Sequence, residues 1–467
     1  MTLLFAGVRD RIAKGRLVVR CGRALIAVAL AALLLPFYLH VANTQNGVND
    51  DLQKNDQGAY MSFSVRAYQT NFSYTGGRNR MPLFPFLQAL FYSPDLEEEA
   101  FFEQGKMLNV GLSILCLMVL SLAFSFKFSK LFALYAILVI AFLVFAFKAP
   151  YFQAEILFYT LFGLAFILSV ESLSAPTWLK SLGVGALFAL AHLTKASAMP
   201  ALLMYLSSFA LMVISRVVRG KSGGRAAGML CLQALSTVLI FLLLLFPYLQ
   251  ESKERYGSHF YNVNTTFYVW YDSWEEAKAG TRAAGDRRGW PDLPDEEIPS
   301  LGKYLREHST EQIIDRFRSG ALRLINFGCN LHRSKHRFGY CSQVGLNLII
   351  ITCSLALIAA RGHLRRASQN FHTISFVALF HVIYALSFAW YVPLTGNGPR
   401  TILSLMIPFL WTLGILAHSD ALDSSRISIL RWRPRATTVV YSVMLLTLLY
   451  EIYQVIDYRA FAMYGGE

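Results

Sequence analysis

Charge is scarce in this chain. Asp, Glu, Lys and Arg make up 15% of its 467 residues, well under the quarter or so that a soluble globular protein carries. Acidic residues are the scarcer sign, 29 against 43 Lys plus Arg. Neither a Walker-type glycine loop nor a Rossmann fingerprint is present, so the usual nucleotide pockets are excluded. Low-complexity tracts and internal repeats are also missing, which argues against a solenoid and against paired transporter halves. No small-x-small cleavage site follows Leu35, so the first apolar stretch is expected to remain as a helix rather than leave as a signal peptide.

What is abundant is apolar residue, 55% of the chain, gathered in long blocks. Blocks of that length are the signature of a polytopic membrane protein. Spans are expected near Leu25–Tyr38, Met107–Ser125, Leu131–Phe147, Ile156–Ser172, Leu179–Leu193, Ala196–Ile214, Ala227–Tyr248, Val344–Ala360, Ile374–Trp390, Ile402–Ala417 and Val439–Tyr453. The fold class is therefore all-α, with about eleven transmembrane helices of roughly 20 residues.

The net charge of +14 is explained by topology rather than by nucleic acid. Arg9, Arg11, Lys14, Arg16, Arg20 and Arg23 precede the first span and place the amino terminus in the cytoplasm. Alternating from there, Lys127 and Lys130, Lys180, Arg216 to Arg225, Arg361 to Arg366 and Arg426 to Arg435 all fall on the same inner side. The opposite face receives two long segments, about 40–106 and 249–343, dividing the chain into a module over 1–248, an extramembrane segment over 249–343 and carboxy-terminal helices over 344–467. In the first outer loop, Tyr60, Phe63, Ala67 and Tyr68 follow Asp56 at helical spacing, and Leu83 to Phe91 is apolar but too short to cross. Both read as interfacial helices. In the second, Ser309 and Gln312 resemble a capping box opening an amphipathic helix with Ile313, Ile314 and Phe317 on its apolar face. A small helical subdomain lying on the bilayer is expected there.

Outward connectors bring ionisable residues from distant segments to one membrane edge: Asp56, Arg80, Glu155, Lys195 and Arg400. Charge at such a boundary is costly and usually faces a cavity or a partner. Cations paired with carboxylates suit a lipid-linked phosphate, the cations binding phosphate oxygens and a carboxylate facing the reacting group. Each residue also has a plainer reading. Asp56 lies near Asp50 and Asp51 and could be a solvated loop residue. Lys195 could snorkel, Arg400 anchor at the interface, Glu155 cap a helix and Arg80 contact headgroups. Cys329, His332, His336 and Cys341 have a spacing open to zinc, to a Cys329–Cys341 disulfide or to free thiols, the oxidising outer compartment favouring the disulfide over zinc. The aromatic run Phe260 to Trp274 could stack on sugars or lie on lipid, and sequons stand at Asn71 and Asn264.

Five stretches carry a resemblance. DQGAY (Asp56 to Tyr60) resembles the D-E/Q-x-x-Y element in the first outer loop of the GT-C membrane glycosyltransferases, the group that includes the protein O-mannosyltransferases and the aminoarabinose transferases acting on lipid A. RNRMPLFPFLQALFY, QAEILFYTLFGLAFIL, LAHLTKASAMP and GPRTILSLMIPFLW resemble further motifs of that family in the same order. The likeness covers about residues 20–250 and 385–415; the second outer segment matches no pattern of the family. It implies a GT-C-like fold, a polyprenyl-phosphate sugar as donor, membrane lipids around it, and a glycan, lipid or protein as acceptor on the non-cytoplasmic face. By motif position it makes Asp56 the catalytic base of an inverting transfer. Lys195, Arg400 and Arg80 become the phosphate-binding set, with Glu155 and Tyr60 in support. Some relatives use a divalent cation. This chain has Gln57 where a two-acid motif has a second carboxylate, which leaves that metal open. The rivals from other classes are a transporter or flippase of a lipid-linked or anionic substrate, and a non-catalytic lipid-phosphate-binding subunit.

Overall fold

A computed structural model of the protein describes residues 34–47, 49–53, 56–220, 223–329, 371–395, 401–417 and 435–457. The secondary structure over these residues is helical. Six helices are long and apolar enough to cross a membrane: Glu98–Lys127 (α3), Lys130–Lys148 (α4), Glu155–Ser174 (α5), Ala196–Val218 (α7), Gly224–Tyr256 (α8) and Phe371–Leu394 (α13). Three shorter apolar helices, Trp178–Thr194 (α6), Leu403–Leu416 (α14) and Thr438–Tyr453 (α15), complete the apolar set among the described residues. The expected spans match these in order, with ends displaced. The first continues past Tyr38 to residue 46, and the seventh runs on to Tyr256 rather than stopping at Tyr248. The span expected at Val344–Ala360 lies outside the described residues, as do the amino-terminal basic cluster and all of the Cys329 to Cys341 segment but its first cysteine, whose side chain is likewise outside the description.

The helices sort by what they bury. α4 and α5 are enclosed on nearly every side, and α4 passes through a π-helical stretch at Val139–Phe145. α8 instead leaves Leu232, Leu235, Leu239, Leu243 and Phe246 exposed along one face, and α7 does the same with Leu203, Leu211 and Ile214. A row of exposed leucines at helical spacing is costly in water and is what a lipid-facing surface requires. Between the peripheral helices the interior is aromatic. Phe162, Phe166, Phe376, Phe380 and Tyr384 pack α5 against α13 with ring centroids 4.6–6.0 Å apart.

The first outer loop forms the two interfacial helices, Gln57–Gln69 (α1) and Leu83–Ala89 (α2). Tyr60, Phe63 and Ala67 are buried, whereas Tyr68 points outward. The second outer segment is built from short helices, Val263–Thr266 (α9), Trp274–Ala279 (α10), Leu301–Glu307 (α11) and Thr310–Cys329 (α12). The capping box forms as read: Gln312 N–H donates to Ser309 Oγ at 3.3 Å and Ser309 N–H donates to Gln312 Oε1 at 2.7 Å. The inward face of α12 agrees with expectation at Phe317, whose ring packs on Trp390 at 5.0 Å between centroids, and differs at Ile314. Ile314 is exposed, and the buried positions are Arg316, Gly320 and Leu324. Arg316 is drawn in because its Nε donates to Trp390 O (3.1 Å), its Nη2 donates to Val269 O (3.2 Å), and its guanidinium lies 4.1 Å from the Trp390 ring.

Four residues further on, Gly320 sits directly on the Ala389 backbone of α13, so a β-carbon there would overlap the Ala389 carbonyl. A rigid backbone cannot yield as a flexible side chain would. Gly320→Ala is therefore expected to lower stability by at least about 1–3 kcal/mol, the usual cost of overpacking. Thermal unfolding of the purified protein in detergent measures it, and an unchanged midpoint would mean that this crossing is looser than described.

Candidate functional site

Asp56 stands at the residue preceding α1, with φ 69° and ψ 7°. This is the left-handed region, which non-glycine residues enter at a cost and which Asp and Asn tolerate best. Backbone of this kind persists where its surroundings over-determine it, and it clusters at functional positions. Its carboxylate is 45% exposed and pairs with Arg80, Nη2 to Oδ1 2.6 Å. Arg80 is itself held against Tyr60, its guanidinium 5.2 Å from the ring centroid. The acid, the cation and the aromatic residue of the first-loop motifs thus form one cluster.

The loop that carries Arg80 is fastened from behind. Thr75 N–H and Oγ1 donate to Glu251 Oε2 at 2.6 and 2.9 Å, and Val263 N–H donates to Arg78 O at 2.9 Å. Arg78 forms an ion pair with the fully buried Asp286, which also accepts from Tyr268 Oη (3.2 Å) and Thr281 Oγ1 (3.0 Å). Nothing in the sequence marks these partners, which lie some two hundred positions apart.

A second pair lies on the neighbouring connectors. Glu155 is the first residue of α5 and is fully buried, and Lys195, in extended backbone after α6, is 25% exposed. Lys195 Nζ donates to Glu155 Oε1 at 2.8 Å and lies 5.8 Å from the Phe158 ring. Burial at a helix amino terminus suits the carboxylate, because the helix dipole favours negative charge there.

Among the described residues the two pairs are separate contacts. What links them is packing. Tyr60 stacks edge-on against Phe84, and Phe84 against Phe152, at 5.6 and 5.9 Å between centroids. Phe152 lies three residues before Glu155 on the connector between α4 and α5. Arg400 lies outside the described residues.

Gln57 occupies the position where a second acid would stand. It is fully buried. Its Nε2 donates to Asn49 Oδ1 (2.8 Å) and Asp51 O (3.2 Å), while its Oε1 accepts from Asn49 Nδ2 (2.9 Å) and Phe152 N–H (2.8 Å). Together the four contacts need an amide that both donates and accepts, so the side chain is a buried structural peg. Gln57 does not suit a divalent cation, since its amide oxygen is already taken by Asn49 Nδ2 and Phe152 N–H. Among the described residues no three His, Cys, Asp or Glu side chains group to hold a metal. Gln57→Glu is expected to destabilise the protein by about 1–3 kcal/mol by stranding Asn49 Oδ1 and the Asp51 carbonyl, which thermal unfolding measures.

Sequence reasoning also missed Lys106, buried in the first turns of α3. Its Nζ donates to Asn49 O (2.7 Å) and pairs with Glu103 Oε1 (2.6 Å), bracing the same loop. The Glu103/Lys106 spacing at the head of an apolar span was the available signal. A further hub lies in the outer subdomain, where Asp272 accepts from Tyr304 Oη (2.7 Å), Arg316 Nη1 (2.8 Å) and His308 Nε2 (2.8 Å). Burial pushes the Asp272 carboxyl up, but the hydrogen bonds from Tyr304 and His308 and the Arg316 charge outweigh it and hold the group below its ordinary value.

No protein-family model and no curated protein matches the chain. Among solved structures, the archaeal oligosaccharyltransferase AglB from Archaeoglobus fulgidus, in complex with an inhibitory peptide and a dolichol-phosphate, aligns with a TM-score of 0.47 and 13% identity over 91% of this chain. A second structure of the A. fulgidus oligosaccharyltransferase, tethered to an acceptor peptide containing the NVT sequon, gives 0.46 and 14% over 91%. This chain spans 55% of the length of each. ArnT from Cupriavidus metallidurans, bound to undecaprenyl phosphate, gives a TM-score of 0.30 and 14% identity over 90% of this chain and 84% of that one.

Proposed function

We propose that this protein is a GT-C-type membrane glycosyltransferase that moves a sugar from a polyprenyl-phosphate carrier to an acceptor on the non-cytoplasmic face. The observation that carries the reading is Asp56, a carboxylate in left-handed backbone, half exposed and oriented by Arg80 at the head of an interfacial helix. A solvated loop residue needs neither the strained backbone nor the fixed partner. In this chemistry Asp56 takes the proton from an acceptor hydroxyl as its oxygen attacks the anomeric carbon. The bond from that carbon to the phosphate oxygen breaks, its electron pair leaves with the phosphate, and the configuration inverts. Lys195, oriented by Glu155 and partly exposed, supplies the positive charge that the departing phosphate gathers. The orientation rests on the basic inner loops.

The test is release of polyprenyl phosphate by purified protein given a polyprenyl-phosphate sugar and a set of outward-facing acceptors. Release that requires an acceptor supports the reading. Release at the same rate from the Asp56→Asn variant removes Asp56 as the base.

A further inference from the structure

The outer subdomain contains a cavity of about 410 Å³ that the chemistry above does not use. Trp270, Tyr271 and Tyr304 line it with aromatic surface, and Glu276, Glu307 and Lys303 bring charge to its walls. Its size is at the small end of ligand pockets.

The walls are preorganised. Tyr304 Oη is tied to Asp272, and its ring stacks on His308 at 3.8 Å with planes 12° apart. Behind it stand Trp390, 5.0 Å between centroids, and the Arg316 guanidinium, 5.2 Å away. Tyr271 Oη accepts from Thr281 N–H at 2.9 Å and closes over Gly280, where any β-carbon would collide with the phenol. Tyr304 is itself buried and with His308 forms a fixed backing, so the rings that a ligand can lie against are the half-buried Trp270 and Tyr271.

The lining discriminates among ligands. A phosphate would meet Glu276 and Glu307, and the Lys303 ammonium is already engaged with Glu297 O at 3.0 Å and lies 3.7 Å from Glu307, so the donor's phosphate is disfavoured. A purely apolar ligand would desolvate both carboxylates without return. A ligand with one C–H face and several hydroxyls suits this lining: its C–H face lies on Trp270 and Tyr271, and its hydroxyls donate to the carboxylates. We propose that this cavity is a carbohydrate-binding site that seats a pyranose of the acceptor. The acceptor part of that statement rests on the function proposed above, whereas sugar binding stands independently of it.

The test uses the full-length protein in detergent and saturation-transfer NMR with the methyl glycosides of glucose, mannose, galactose and N-acetylglucosamine, together with a basic tripeptide of lysine and alanine. Transfer to the ring protons of at least one glycoside is expected. Affinity should weaken about tenfold in Trp270→Ala, persist in Trp270→Phe, fall in Glu307→Gln, and remain intact in Asp56→Asn. Binding without any donor turnover would keep the cavity and sink the catalytic reading; turnover with no glycoside bound would do the reverse. Transfer from no glycoside, transfer unchanged in Trp270→Ala, or transfer from the tripeptide alone overturns the proposal.

Discussion

On the proposed function, Asp56→Asn is expected to lower the rate of sugar transfer by about 10²- to 10⁴-fold, the usual contribution of a positioned general base, with only a small loss of stability. Three features make the substitution clean. Asn is nearly isosteric with Asp, and it is among the few residues that enter the left-handed region readily, so the φ of 69° at this position is preserved. The Arg80 pair is half-buried, the guanidinium 14% and the carboxylate 45% exposed, and the Asn side-chain oxygen can still accept from Arg80. The loss is therefore expected to stay at about 1 kcal/mol, the upper end for surface pairs, and below the cost of stranding a buried charge. What is lost is the capacity to take a proton. Asp56→Ala would confuse the issue, because alanine lacks the side chain that makes this backbone tolerable. Turnover of the Asn variant, measured as release of polyprenyl phosphate beside its unfolding midpoint, separates the two effects. A fall in rate matched by a fall in stability would indicate a structural role instead.

Lys195→Met should produce the opposite profile, failing in both measurements. It strips an ammonium from a carboxylate that is fully buried, and breaking such a pair from one side costs about 3–5 kcal/mol. Adding Glu155→Gln removes the charge left behind and should restore most of the stability. Activity should not return, because no cation remains at that position to meet the leaving phosphate. A double variant that regains both would reduce the pair to a structural strut; one that regains neither would show that Glu155 holds more than Lys195 in place.

How far these residues could be read in advance depends on the range of their interactions. The spans followed from apolar run length, and the interfacial helix after Asp56 from the spacing of Tyr60, Phe63 and Ala67, because both signals are local. The capping box at Ser309 was legible for the same reason. Less local features failed. Ile314 belongs to the apolar face by periodicity, yet α12 turns Arg316 inward, toward a carbonyl at Trp390 that is 74 positions away. Gln57 reads as a missing acid until Asn49 and the Phe152 amide show what its amide is for. The Arg78–Asp286 pair has no signature at all, since either residue alone looks like ordinary surface charge. Glu155 and Lys195 could each be singled out as expensive at a membrane edge, but their bond is a property of the packed connectors.

One dimension of the bundle bears on how a carrier would approach. α6 has 17 residues, about 25 Å of helix at 1.5 Å per residue, against a hydrocarbon layer of about 30 Å. A helix this short falls about 5 Å below that thickness. Lipid accommodates such a mismatch by thinning locally. On the proposed function, such thinning at the end of α6 would let a prenyl chain keep its tail in oil while its headgroup sinks to meet the Lys195 ammonium.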